Sequence, residues 1–203
     1  MEAQNPPEEN STTEIDPRNE ENNNILESTE DIRQKLYEKC RVIAESQDIL
    51  SMLVESLDRS GLVGNQKAAK LLFLSLTSRL GDDPISVIVK GESSSGKSFT
   101  VDKVIEYFPP DAVEVITSMS DKALAYFDKP VKHRFLHFRE AAGLTKNAEY
   151  LIRSILSEKR IDHYTVGSSN EGPELRRLFK EGPTGVIITT TKFQVNPENE
   201  TRL

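Results

Sequence analysis

The stretch Ile85-Ser86-Val87-Ile88-Val89-Lys90-Gly91-Glu92-Ser93-Ser94-Ser95-Gly96-Lys97-Ser98 decides the fold. Its first six residues form a short β-branched run that predicts a buried parallel strand. The next eight follow the pattern G-x-x-x-x-G-K-[ST], and Val101, Val104, Ile105 and Phe108 then recur on one helical face. A glycine-rich loop between a strand end and a helix start is the setting of a phosphate cradle. Gly91 and Gly96 let the backbone curl, so that the amides of Glu92, Ser93, Ser94 and Ser95 converge on an anion. The start of the helix adds a partial positive charge. Lys97 is placed to neutralise the β- and γ-phosphates, and the Ser98 hydroxyl to ligate Mg²⁺. The loop predicts binding of a nucleoside triphosphate, ATP, with magnesium.

The chain has 203 residues and a formal charge of −7, enough for one moderate domain with appendages. The acidity is local. Residues 1–31 hold ten acids against Arg18 alone and carry −9, which leaves about +2 for the rest. A nearly neutral body neither demands nucleic acid as a partner nor argues against it. Cys40 is the single cysteine, which excludes a disulfide framework and a zinc cluster. No apolar run approaches the roughly 18 residues of a membrane span, and the N-terminus lacks the basic and apolar regions of a signal peptide. The expected compartment is the cytoplasm.

Three segments follow. Residues 1–27, rich in Glu, Asn and Pro with few apolar anchors, are expected to be a disordered acidic tail. Residues 28–60 are expected to form one long helix, capped by Ser28 or Thr29 and ended by Ser60-Gly61. Its apolar stripe (Ile32, Leu36, Ile43, Leu50, Leu57) predicts packing against the body of the protein. Residues 61–203 form the phosphate-loop domain. There, residues 65–80 predict a largely buried helix, because apolar side chains cover most of its circumference. Strands are expected at 113–117, 134–138 and 185–191, and helices at 121–127 and 146–159. This alternation means a parallel sheet flanked by helices. Residues 161–166 and 174–179 interrupt it, reading as a β-hairpin with a turn at 167–173.

Hydrolysis needs a carboxylate at the mouth of a neighbouring strand, to orient or deprotonate water beside the γ-phosphate. Glu140 is the carboxylate at the end of the 134–138 strand. In many phosphate-loop enzymes an Asp immediately precedes it and holds the metal; here that position is Arg139. Thr189, Thr190 and Thr191 close the last strand, and polar side chains at such an end face the ligand crevice or fill the strand end. Thr190 or Thr191 is the candidate for holding the attacking water or the γ-phosphate. Arg202 is the candidate for reaching a neighbouring subunit's γ-phosphate.

In this order, the parts resemble the AAA+ ATPases. The match is nearest to hexameric helicases with a hairpin before the sensor strand, including superfamily-three viral helicases. Residues 87–98, Thr117-Ser118-Met119-Ser120, Phe138-Arg139-Glu140-Ala141-Ala142-Gly143-Leu144, Glu181-Gly182-Pro183-Thr184-Gly185 and residues 196–203 look like the ATPase portion accompanying DNA primases of phages and mobile elements. The resemblance implies an AAA+-like P-loop NTPase fold, ATP hydrolysis, a homo-oligomeric ring and a DNA helicase or translocase acting in replication beside a primase. By position it makes Glu140 the catalytic glutamate, Thr190 or Thr191 the sensor and Arg202 the arginine finger. It also implies a fifth strand and a helical lid after residue 203, so the sequence reads as C-terminally truncated. Two features depart from the pattern: Arg139, and a hairpin tip without a base, although Lys159, Arg160, His163, Arg176, Arg177 and Lys180 lie along its arms. The alternative is a nucleotide-gated binding module with little or no hydrolysis.

Overall fold

The computed structural model describes residues 17–117, 127–140, 146–169 and 172–191, and the chain divides into two compact units, residues 1–49 and 50–203. In the first unit, α1 (Pro17–Ala44) starts on a proline. The locked φ and missing N–H of proline suit the first helical position. Residues 17–27 are therefore helical rather than part of a disordered tail, and Ser28 and Thr29 lie inside the helix instead of capping it. Residues 1–16 fall outside the described residues. The long helix expected to run to residue 60 breaks at residues 45–48. There the Ser46 hydroxyl accepts the Asp48 amide at 3.2 Å, which offers the backbone an alternative to the helical ladder. Arg41 pairs with Glu45 at 3.0 Å across the last turn. The expected apolar stripe is split: Ile32, Leu36 and Ile43 on α1 are exposed, while Leu57 enters the core of the second unit.

The second unit opens with α2 (Ile49–Arg59), followed by α3 (Gln66–Thr77) and a 3-10 turn, Ser78–Leu80. α3 was expected to be buried nearly all round. It buries one face instead, through Ala69, Leu72, Ser75 and Leu76, whereas Leu71 and Leu74 are exposed. A helix in the outer layer of a sheet-and-helix stack meets the sheet on one side only, whatever its composition.

The sheet contains β1 (Val87–Lys90), β2 (Val113–Ile116), β3 (Arg134–Phe138) and β6 (Thr184–Thr190) in the order β1-β6-β3-β2, all parallel. Helices α4 (Lys97–Ile105) and α5 (Lys146–Glu158) complete the alternation that the sequence predicts. The expected helix at 121–127 lies almost wholly outside the described residues. Period-two side chains divide the core into two layers. Phe135 and Ile187 join Leu57, Leu72, Leu76, Val101 and Val104 on the α2–α3–α4 face. Leu136, Phe138, Val186 and Ile188 join Leu151, Ile152 and Ile155 on the α5 face.

The hairpin is longer than expected. β4 (Ile161–Ser169) and β5 (Gly172–Lys180) pair antiparallel from Ile161↔Lys180 to Ser169↔Gly172. Gly167, Ser168, Ser169 and Pro173, expected in the turn, thus belong to the ladder.

Gly185 on β6 lies beneath the ring of Phe135. A Cβ there would sit 2.4 Å from the ring's Cζ, and Phe135 is fully buried and cannot swing aside. Gly185→Ala is expected to lower stability by about 1–3 kcal/mol through overpacking, read by urea denaturation. Adding Phe135→Leu should recover part of the loss.

Candidate functional site

The loop after β1 is held shut by its own residues. The Gly91 amide donates to the Thr190 carbonyl at 3.4 Å, which ties the loop to the end of β6. Ser94 and Gly96 take the left-handed region, at φ 65° and 80°. That is costly for Ser94 and natural for glycine, and the two together turn the chain sharply into α4. Close approach explains Gly91: a Cβ at this position would meet Ser95 Oγ at 2.9 Å and the Lys97 stem at 3.4 Å. Gly96 caps α4 without a side-chain acceptor, so the first amides of the helix stay available to a ligand. The loop encloses a cavity of about 240 Å³ lined by Ser94, Ser95, Gly96, Lys97, Ser98 and Phe99. Lys97 Nζ donates to the carbonyls of Gly91 (2.8 Å) and Glu92 (2.5 Å). These neutral dipoles hold the ammonium where phosphate oxygens would compete for it.

Two neighbours support the loop that its motif does not reveal. Thr100 Oγ1 donates to the Gly96 carbonyl at 2.9 Å and accepts from Asn65 Nδ2 at 3.2 Å. Asn65 precedes α3, and its amide nitrogen would lie 3.4 Å from a Cβ on Gly96. As a lone Asn before a helix it reads from sequence as a cap, yet its side chain makes no cap bond to α3.

Glu140 stands just past β3 with φ 50°. Its amide donates to Thr189 Oγ1 at 3.3 Å, and its Oε1 accepts from the Thr191 hydroxyl at 3.1 Å and the Thr191 amide at 3.4 Å. The structure thus brings Glu140 and the threonine-rich end of β6 together. Thr191 touches the carboxylate, Thr189 holds the Glu140 backbone, and Thr190 is buried at the strand end that anchors Gly91. Arg202 lies outside the described residues.

Arg139 departs furthest from expectation. Its Nη2 donates to Asp102 Oδ1 at 2.5 Å. Asp102 lies on α4 four residues after Ser98, hence on the same helical face one turn on. Arg139 Nε and both ring nitrogens of His137 are buried without a hydrogen-bond partner among the described residues. Burial, reinforced by the Arg139 charge and only partly offset by Asp102, lowers the His137 pKa to about 4. The imidazole beneath Arg139 is therefore neutral at pH 7.

Magnesium needs hard oxygen ligands, commonly one or two carboxylates beside the phosphates. Around this loop the Asp102 carboxylate is engaged by Arg139, Glu140 accepts from Thr191, and Ser98 contributes a single hydroxyl. Among the described residues no group of three His, Cys, Asp or Glu side chains gathers to bind a metal. Among the described residues, the Ser98 hydroxyl and the exposed Glu92 carboxylate are what remains for a magnesium ion, too few to hold one without phosphate oxygens and water.

On the hairpin, several of the expected bases are already engaged. Arg177 forms two bonds to Asp162, at 2.8 and 2.7 Å, and lies over the rings of Tyr164 (5.7 Å) and Phe179 (5.1 Å). The Arg177 hydrogen bond holds the Asp162 carboxyl below its usual range. Lys159 pairs with Asp83 at 3.1 Å, and Lys180 donates to the Asp128 carbonyl at 3.4 Å. Tyr164, Val166, Leu175 and Phe179 are exposed.

Residues 31–181 match a protein-family model described as the MTBMA_p00010 P-loop domain. The structure is similar to that of a full-length MCM homolog from Methanopyrus kandleri, with a TM-score of 0.58 at 12% identity. The similarity covers 82% of this chain and 38% of that one, so this chain spans well under half the length of the archaeal protein. No curated protein matches the sequence.

Because the His137 pKa is lowered, the unfolded chain takes up a proton below pH 6.5 that the native chain refuses until about pH 4. Stability is therefore full above pH 6.5 and is lost as the pH falls from there toward 4, at up to about 1.4 kcal/mol per pH unit from this one group. His137→Leu should flatten the pH dependence of the urea midpoint between pH 6.5 and 5, where few carboxylates titrate. An unchanged slope would refute the assignment.

Proposed function

The chain belongs to the MTBMA_p00010 P-loop domain family, and on that footing we propose that residues 91–98 bind a nucleoside triphosphate, taken as ATP, and that the chain hydrolyses it. The observation that carries this reading is convergence. The β1–β6 and β3–β6 pairings set the Lys97 loop, the Glu140 carboxylate and the Thr191 hydroxyl at the carboxyl ends of adjacent parallel strands, where such sheets bind ligands. Phosphate oxygens entering the loop draw Lys97 from the carbonyls of Gly91 and Glu92. Glu140, positioned by Thr191, orients the attacking water. Thr190 is retained as the alternative sensor and Arg202 as the finger that stabilises transferred charge in a neighbouring subunit.

We assign the activity to a helicase or translocase module that works on DNA in a homo-oligomeric ring, in the replication of a phage or mobile element and beside a primase. The support is the inserted hairpin, whose exposed Tyr164 and Phe179 flank Arg177 in the manner of a platform for unpaired bases. No helix among the described residues is long and apolar enough to cross a membrane; the proposed site of action is the cytoplasm. The Arg139–Asp102 pair favours a second reading, a nucleotide-gated binding module with little or no turnover.

Phosphate release with and without single-stranded DNA separates the readings. A motor turns ATP over and is stimulated by DNA; a gated module binds ATP without releasing phosphate. Lys97→Ala should cost at least about tenfold in nucleotide affinity, while Glu140→Gln should leave binding intact and lower turnover by about a hundredfold or more. Retained ATP affinity in Lys97→Ala rejects the proposed site.

Stacking is worth about 1–3 kcal/mol per base. Tyr164→Ala with Phe179→Ala should therefore weaken single-stranded DNA binding, measured by fluorescence anisotropy, at least tenfold without changing nucleotide affinity. Unchanged DNA affinity removes the hairpin from the proposed interface.

A further inference from the structure

The charges around the phosphate loop have an unusual arrangement. The cations beside the loop are Lys97 and, one helical turn along α4 through Asp102, Arg139, with the Ser98 hydroxyl next to Lys97. Among the described residues beside the loop, Asp102 is bonded to Arg139 at 2.5 Å and Glu140 to Thr191 at 3.1 Å, while Glu92 of the loop itself is exposed. Ser98 and Asp102 share one face of α4. A guanidinium bonded to Asp102 therefore stands about one helical turn from the Ser98 hydroxyl. The backbone fixes it there as well: the Arg139 amide donates to the Ile116 carbonyl at 2.9 Å and continues the β2–β3 ladder. Arg139 is only partly exposed, and its Nε is a buried donor without a partner among the described residues. The imidazole of His137, two residues before it on β3, is uncharged at pH 7 and adds no competing cation.

We infer that the Arg139 guanidinium, anchored by Asp102, is a built-in cation that contacts the nucleotide's phosphate oxygens and takes over the charge compensation a divalent metal supplies elsewhere, so that this site binds nucleotide without magnesium. The inference rests on the proposed nucleotide-binding reading and deepens it. A guanidinium offers five donors in a planar fork and is always charged. One Nη2 hydrogen goes to Asp102 and Nε is buried, which leaves the other Nη hydrogens for phosphate. Asp102 acts as the positioning residue for Arg139.

The test is titration calorimetry of the full chain with ATP and with ADP, in excess magnesium and in EDTA. The wild-type affinity should change by less than about threefold between the two buffers. Arg139→Asp replaces the fixed cation with a potential metal ligand; it should lose at least about tenfold in EDTA and regain affinity when magnesium is added. If that variant fails to fold, as judged by circular dichroism, Arg139→Gln takes its place and should show the same loss in EDTA. A merely structural Arg139 would leave affinity in EDTA unchanged in both variants, which overturns the inference. A wild-type affinity that falls tenfold or more in EDTA overturns it too, while leaving the nucleotide-binding reading intact. Absence of wild-type binding in both buffers defeats that reading and the inference together.

Discussion

The pairing of β6 with β1 on one edge and β3 on the other is the constraint on which the rest of the second unit depends. All seven residues of β6 are buried, and its register is set by core side chains that alternate between the two faces. Ile187 belongs to one layer, Val186 and Ile188 to the other. A slip of one residue would exchange those faces. Gly185 under Phe135 and the Thr184 hydroxyl on the Val131 carbonyl at 3.0 Å fix the strand's start. Once that start is fixed, its end is fixed too. The Thr190 carbonyl then meets the Gly91 amide, and the hydroxyls of Thr189 and Thr191 meet Glu140. The site is a consequence of packing several residues away.

The phosphate loop is a stored arrangement rather than an open mouth. Ser94 occupies a backbone region that costs a residue with a Cβ of order 1 kcal/mol or more. Lys97 offsets part of that by bonding two carbonyls of the loop it belongs to. Carbonyl dipoles hold an ammonium group more weakly than phosphate anions do, because a full negative charge attracts it more strongly than a partial one. The loop is thereby kept in shape by its own backbone and side chains. Asn65 and Thr100 extend the same support into α3 and α4.

What the sequence disclosed was local in origin. The phosphate loop, its flanking strand and helix, each strand and helix of the parallel alternation and the hairpin follow from runs of neighbouring residues. The position of Glu140 followed from the strand it ends. Contacts formed at a distance stayed hidden. Arg139 and Asp102 lie 37 residues apart, and nothing in either segment announces the other. Asn65 meets Thr100 across 35 residues. Composition also misled in a particular way: the apolar residues of α3 suggested burial all round, but an outer-layer helix has only one covered face, and Leu71 and Leu74 lie off it. The break after α1 hung on one hydroxyl, Ser46, that propensity cannot distinguish from any other serine in a helix.

One face of the hairpin shows how a charged sequence becomes a weakly charged surface. Counting bases along residues 159–180 suggests an electrostatic grip on phosphates. In the folded chain, Asp162 accepts from the Nε–Nη2 edge of Arg177, and Asp83 takes Lys159. By the alternation of the two strands, Asp162, Tyr164 and Val166 share a face with Leu175, Arg177 and Phe179. That face therefore offers two aromatic rings around a guanidinium whose charge is already balanced, with Val166 and Leu175 nearer the tip. Counterion release is the main driving force for binding a nucleic-acid backbone, and a neutralised Arg177 contributes little to it. Any grip exerted by this face must come from stacking and apolar contact, which are indifferent to base sequence because every base has a flat face. Such indifference is a property a translocating module requires.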